Sequence, residues 1–123
     1  MTDALYKEHI LDHYRHPRNV GRLDAPSFVG RETNPWCGDE VLFSVKFDAH
    51  GAVEAASFEG TGCAVSLAAA SLLTEFVKNK KMDAVGAINH IDIMNLLGVV
   101  VSPGRVDCAT LALKALQKGL LSY

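Results

Sequence analysis

Apolar residues at the start of the chain recur with the period of a helix. Tyr6, Ile10 and Tyr14 are spaced four residues apart, which places them on one face of a predicted helix from Asp3 to His16. Pro17 ends this helix, because the residue before a proline is pushed away from the helical conformation.

The period changes to two between about Ala25 and Phe58, which is typical of strands. Apolar residues alternate with others from Val41 to Phe47. The Asp48–Gly51 segment then predicts a turn, and Val53–Phe58 a returning strand. A shorter strand around 28–30 would complete a three-stranded antiparallel sheet.

The pattern becomes helical again after the strands. Cys63 to Lys78 is apolar almost throughout, which predicts a helix buried against the sheet. Short helices follow at Met82–Ile88 and His90–Leu97, with Gly98 as a C-cap. A last helix carries apolar residues at helical spacing: Ala109, Ala112, Leu113, Leu116 and Leu120. We therefore expect one α+β domain over residues 1–123, a small three-stranded antiparallel sheet with about five helices packed mainly on one face.

Composition and charge exclude several classes of function. The 123 residues are 49% hydrophobic, enough to bury a core in one domain. The net charge of −2 offers no basic surface for nucleic acid. The first residues, Met1 to Leu5, lack the features of a secretory signal, and no apolar stretch is long enough to span a bilayer. Three cysteines, an odd number, favour free thiols in a reducing cytoplasm over disulfides. We expect a cytoplasmic protein that binds neither nucleic acid nor membranes.

Each cysteine lies at a junction between predicted elements. Cys37 and Asp39 precede the central strand, Cys63 opens the long helix, and Cys108 opens the last helix. If the helices pack on one face of the sheet, these junctions can meet at one end of the domain. Helix N-termini lower the pKa of a thiol, and soft thiolates select zinc or iron–sulfur clusters over hard cations. The sequence thus predicts one metal site, made by Cys37, Asp39, Cys63 and Cys108.

Asp39 distinguishes this predicted site from one made of thiolates alone. A carboxylate is a harder and weaker ligand for iron than a thiolate, so a cluster held by three cysteines and Asp39 would be easier to release. That property suits a carrier better than an electron-transfer protein. With zinc, the same four residues complete a tetrahedral shell. Gly38 and Gly62 would let the backbone turn sharply and approach an inorganic ligand.

Other polar residues near these positions have simpler interpretations. His9 and His13 are four residues apart but lack the glutamate of a His-Glu-x-x-His motif, so they indicate a solvated or partly packed helix face. Arg105 would relieve repulsion among thiolates. Asp107 is either an alternate ligand or, as we favour, a contribution to the helix N-terminus. No histidine adjoins a cysteine, which argues against a thiol hydrolase.

Four segments occur in an order that indicates a family: Tyr6–Gly21, Cys37–Asp39, Gly60–Ser66 and Cys108–Ala112. Together they resemble the U-type iron–sulfur scaffold family, the IscU, NifU and SufU type. The resemblance runs essentially from end to end of the chain.

The resemblance implies a scaffold rather than an enzyme. Such a protein accepts sulfur from a cysteine desulfurase, joins it to iron, and passes a transient [2Fe–2S] cluster to acceptor proteins. By this likeness Cys37, Cys63 and Cys108 would be cluster ligands and sulfur acceptors, and Asp39 the ligand that makes the cluster labile. Zinc could occupy the same site.

Two differences separate the chain from one branch of that family. Asp107 replaces a histidine before the third cysteine, and Val101–Arg105 replaces a Leu-Pro-Pro-Val-Lys chaperone-docking motif. The Cys108–Ala112 segment instead resembles the branch that holds zinc and relays persulfide sulfur, although the insertion of that branch is absent. A zinc-dependent sulfur acceptor therefore stays open beside the scaffold, as does a binding module in which zinc only stabilises loops. The oligomeric state stays open too, a homo-oligomer included.

Overall fold

The computed structural model describes residues 3–36, 38–99 and 101–123. Its elements, in chain order, are α1 (Asp3–Arg15), β1 (Phe28–Asn34), β2 (Asp39–Phe47), β3 (Val53–Thr61), α2 (Ala64–Phe76), α3 (Met82–Gly86), α4 (His90–Leu97), a 3₁₀ turn (Pro103–Arg105), α5 (Val106–Ala109) and α6 (Leu111–Ser122). Within these ranges, no helix is both long and apolar enough to cross a bilayer.

The three strands form one antiparallel sheet with β2 in the centre. Alternate residues of β2 point to one face, and Val41, Phe43 and Val45 on that face are fully buried. Helix α6 packs against β1 and β2, while α2 packs against β3. The predicted α+β fold, with helices covering one face of a three-stranded sheet, is confirmed.

The outer strands are longer than their apolar pattern predicts. β1 continues to Asn34 and β3 to Thr61, because both keep pairing with the start of β2. Asn34 pairs with Asp39, and Glu40 pairs with Thr61. The sheet therefore reaches the end of the molecule at which the cysteines were predicted to meet.

The C-terminal segment differs from the prediction that Cys108 opens the last helix. Cys108 lies inside the short helix α5, and α6 begins only at Leu111. Thr110 separates the two helices with φ −100° and ψ 5°, and its hydroxyl donates to the Val106 carbonyl at 2.9 Å. Such back-bonding lets a threonine end a helical turn. The described residues consequently contain six α-helices rather than about five.

Helix α1 is attached to α2 through a buried histidine. His13 is 5% exposed, and its Nδ1 lies 2.8 Å from the Ser71 hydroxyl. The backbone N–H of Arg18 donates to the same hydroxyl at 2.9 Å. His9 remains exposed one turn earlier. The two histidines thus form a partly packed helix face, as predicted.

Candidate metal centre

Three of the four predicted ligands lie together at one end of the sheet. A carboxylate oxygen of Asp39 and the sulfur atoms of Cys63 and Cys108 all lie within 4.8 Å of one another. They come from three separate elements: the start of β2, the N-cap of α2, and α5. Cys37, the fourth predicted ligand, lies outside the described residues. Metal binding by all four stays a prediction.

The Asp39 carboxylate is buried, at 4% exposure. The hydroxyl of Ser66, itself 0% exposed, donates a hydrogen bond to Asp39 Oδ2 at 2.7 Å. Gly62 lies directly against this carboxylate, since a Cβ on Gly62 would be 3.0 Å from Asp39 Cγ. The absence of a side chain at Gly62 therefore makes room for Asp39, whereas the sequence had indicated a sharp backbone turn there.

Cys63 is the more accessible of the two described thiols, being only partly buried. Its burial alone would raise the pKa of the thiol, and so would the nearby carboxylate of Asp39. Hydrogen bonding at Sγ outweighs both effects. It involves the Ser66 side chain, whose oxygen lies 3.4 Å away, and the backbone N–H groups of Ser66 and Val65, which still donate when the hydroxyl proton is directed at Asp39. The pKa of Cys63 is therefore lowered from its ordinary value, as predicted for a cysteine at the start of a helix.

Cys108 is buried at 7% exposure and contacts Asn34, a residue that sequence reasoning missed. Asn34 Nδ2 donates to Cys108 Sγ at 3.9 Å, and Asn34 Oδ1 accepts from the Trp36 backbone N–H at 3.1 Å. The Asn34 carbonyl also accepts from the Gly38 N–H at 2.9 Å. One asparagine thus joins the loop that leads to Asp39 with the helix that carries Cys108. The indole of Trp36 itself is 92% exposed.

Two further residues singled out in the sequence are exposed to solvent, unlike Asp39 and Cys108. Asp107 is exposed, and its Oδ1 lies 3.5 Å from Nζ of Lys114. It lies in the first turn of α5, where a negative charge stabilises the helix N-terminus, as we favoured from the sequence. Arg105 is exposed in the preceding 3₁₀ turn, and its effect on thiolate repulsion stays a prediction.

The donor atoms suit a soft metal ion. Two sulfurs and one carboxylate oxygen favour zinc or thiolate-bound iron over calcium or magnesium, which bind oxygen ligands. Around one tetrahedral zinc, sulfurs at about 2.3 Å from the ion are about 3.8 Å apart. The separations found here, all within 4.8 Å, are compatible with such a shell.

Comparison with known proteins assigns the chain to a family. The family model described as the NifU-like N terminal domain matches residues 5–123. The chain belongs to this family. The resemblance carried by its four sequence segments is thereby confirmed.

Two similar proteins carry names that match the scaffold and the zinc-dependent sulfur acceptor considered from the sequence. The chain is 39% identical to a zinc-dependent sulfurtransferase SufU of Bacillus subtilis (strain 168), covering 96% of this chain and 90% of that protein. It is 37% identical to an iron-sulfur cluster assembly scaffold protein IscU of Haemophilus influenzae, covering 96% and 94%.

A solved structure has the same fold. The crystal structure of a putative iron-sulfur cluster assembly scaffold protein for the SUF system, from Fervidobacterium islandicum AW-1, superposes with a TM-score of 0.80. It shares 26% sequence identity, and the match covers 98% of this chain and 99% of that one.

Proposed function

We propose that this protein is a scaffold on which a [2Fe–2S] cluster is assembled and from which it passes to acceptor proteins. The observation that carries the proposal is the convergence of Asp39, Cys63 and Cys108 from three elements at one end of the sheet. The relation to IscU assembly scaffolds over 96% of the chain supports it. In this proposal the site holds iron and sulfur only transiently, as the substrates that are assembled and passed on.

The cysteines have two tasks in this proposal. Cys37, Cys63 and Cys108 bind the iron, and they also accept sulfur from a cysteine desulfurase. Cys63 is the first acceptor of the two described thiols, because it is less buried than Cys108. Its thiolate attacks the terminal sulfur of the desulfurase persulfide and forms a new S–S bond. The old S–S bond breaks, the desulfurase cysteine leaves as a thiolate, and the persulfide remains on Cys63.

Asp39 is the fourth ligand and the weak one. Its oxygen lies beside the two sulfurs, but a carboxylate binds iron less strongly than a thiolate would. A cluster with one weak ligand exchanges more readily with an acceptor protein.

Anaerobic reconstitution tests this function. The protein is mixed with ferrous iron, cysteine, a cysteine desulfurase and a thiol reductant, which supplies the two electrons that convert each persulfide sulfur to the sulfide of the cluster. The visible absorption of the cluster is followed, first as it forms and then as it is lost to a chelator or an acceptor. We expect a coloured, oxygen-sensitive product, and a slower loss of colour from Asp39→Cys, which replaces the weak carboxylate ligand with a thiolate. Asp83→Cys, at an exposed position in α3, is the matched control and should decay like the wild type. An unchanged decay in Asp39→Cys would remove the role of Asp39, and the absence of any bound iron would overturn the scaffold function.

A zinc-dependent sulfur acceptor is the second candidate, and two observations favour it. The donor spacing is compatible with a single tetrahedral ion, and the SufU relative is named a zinc-dependent sulfurtransferase. This function predicts that the zinc-loaded protein accelerates a cysteine desulfurase and that Cys63→Ser abolishes the acceleration. Tight zinc binding alone does not separate the two candidates, since zinc can occupy a scaffold site. A protein that stimulates the desulfurase but never retains iron is the sulfur acceptor.

A further inference from the structure

We infer that Ser66 is a positioning residue that fixes Asp39 as a one-oxygen ligand of the metal site. The inference rests on the proposed metal-binding function of that site and adds a residue that binds no metal itself. Ser66 lies in helix α2, three residues after Cys63, and its side chain is 0% exposed.

A buried carboxylate needs a hydrogen-bond donor to replace the water it has lost. At Asp39 the Ser66 hydroxyl supplies one, at 2.7 Å from Oδ2. Because this hydrogen bond engages Oδ2, it favours binding of a metal through one carboxylate oxygen rather than through both. The hydrogen bond also fixes the rotation of the carboxylate, so that the Asp39 side chain is oriented before a metal arrives.

Gly62 also limits the position of Asp39. A Cβ on Gly62 would lie 3.0 Å from Asp39 Cγ and 3.2 Å from each carboxylate oxygen, closer than side chains normally approach. The carboxylate therefore contacts the Gly62 backbone as well as the Ser66 hydroxyl. Both residues belong to the segment that also carries Cys63, so this one segment provides a thiol and positions a carboxylate from another element.

The Ser66 oxygen also lies 3.4 Å from Cys63 Sγ. Ser66 consequently touches two of the three described donors, one from β2 and one from the N-cap of α2. Its removal should change the relative position of Asp39 and Cys63, and not only the hydration of one carboxylate.

Loss of such an outer hydrogen bond typically lowers metal affinity about 10–100-fold. We expect Ser66→Ala to weaken zinc binding by about that factor. The loss should be much smaller in an Asp39→Ala background, because Ser66 then has no carboxylate to position and keeps only its contact with Cys63. A purely structural role would weaken binding equally in both backgrounds.

The experiment is a double-mutant cycle with zinc as the probe. Dissociation constants are measured by chelator competition for the wild type, Ser66→Ala, Asp39→Ala and the double variant. Ser71→Ala is the matched control, because Ser71 is also 0% exposed in α2 but binds His13 and Arg18 instead. Urea unfolding of the metal-free forms shows whether each variant folds.

The inference is supported by a loss in Ser66→Ala that exceeds the loss in Ser71→Ala and becomes much smaller without Asp39. It is overturned by equal losses in Ser66→Ala and Ser71→Ala, or by an undiminished loss in the Asp39→Ala background. Should Ser66→Ala fail to fold, Gly62→Ala provides the same cycle, because the added methyl group displaces the Asp39 carboxylate. If the wild type binds zinc and iron, but substitution of Ser66 or Gly62 leaves the zinc dissociation constant unchanged, this inference alone is wrong. If the wild type binds neither metal, the proposed function is wrong as well.

Discussion

Gly30 in β1 and Gly119 in α6 face each other at the point where the helix crosses the sheet, and their backbones are in contact. A Cβ on Gly30 would overlap the carbonyl oxygen of Ala115, and a Cβ on Gly119 would lie 2.8 Å from the Gly30 nitrogen. The backbones of helix and strand therefore approach closely at this point, with the Phe28 ring beside Gly119. Close packing of this kind fixes the position of α6 on the sheet.

Gly30→Ala should destabilise the protein by about 2–3 kcal/mol, because the added methyl group forces the helix away from the strand. The free energy of unfolding in urea measures the effect. Gly104→Ala is the control, since a Cβ there meets nothing within 4 Å, and it should stay within about 0.5 kcal/mol of wild type. Equal stabilities for the two variants would contradict the close packing of α6 on β1.

His13 should make the stability of the protein fall in mild acid. Burial lowers the pKa of His13 below its ordinary 6.5, the positive charges of Arg18 and His9 lower it further, and Glu75 and Asp12 only partly offset them. The unfolded chain therefore binds a proton below about pH 6.5 that the folded protein does not. Stability is unaffected by this group above that pH and decreases as the pH falls from there towards the folded pKa.

Urea unfolding of the metal-free protein at pH 7.5, 6.5 and 5.5 tests this dependence. His13→Gln should reduce the loss of stability between pH 6.5 and 5.5. His9→Gln, four residues earlier and exposed, should change that loss less. A slope unaltered by His13→Gln would mean that other groups cause the acid sensitivity.

Removal of metal should leave the protein folded. The core is closed by residues remote from the donors, among them Phe43, Leu73 and Leu116, each 0% exposed. We expect a chelator to lower the thermal midpoint while the far-UV circular dichroism at 25 °C stays unchanged. Bound zinc at about a thousand times its dissociation constant adds about 4 kcal/mol of stability. Loss of helical signal on chelation would instead favour a module in which zinc only holds the loops together.

Asn34→Ala should loosen the loop that carries Trp36 and expose Cys108. The Trp36 N–H and the Cys108 sulfur both lose a partner, which we expect to cost about 1 kcal/mol and thus raise local opening about fivefold. Alkylation of Cys108 by iodoacetamide in metal-free protein reports this opening. Trypsin releases Cys108 on the peptide Val106–Lys114, so mass spectrometry reads it separately from the other cysteines. Thr33→Ala, at an exposed neighbouring position, should leave the rate unchanged.

Much of the fold could be predicted from periodicity, because each element buries one face. The alternation from Val41 to Phe47 identified the central strand, and the apolar run after Cys63 identified α2. The break at Thr110 could not be predicted, since the apolar spacing continues through it from Ala109. Periodicity reports which face is buried and does not report where backbone hydrogen bonds are interrupted.

The proximity of Asp39, Cys63 and Cys108 could be predicted because each stands near the end of an element on the same side of the sheet. The residues that form hydrogen bonds with these ligands could not be predicted. Ser66 is one of several polar residues in a mostly apolar helix, and Asn34 is the last residue of a strand, so neither position indicates a partner far away in the chain. Their roles depend on contacts 27 and 74 residues apart.

The exposed indole at Trp36 gives the protein a built-in optical reporter. It is the only tryptophan in the chain, and it adjoins Cys37 directly in sequence. Its fluorescence should have the red emission of a water-exposed ring, and it should shift to the blue only when another molecule covers that surface. Metal loading alone should alter the intensity without that shift, so a single emission spectrum can distinguish a loaded protein from one engaged with a partner.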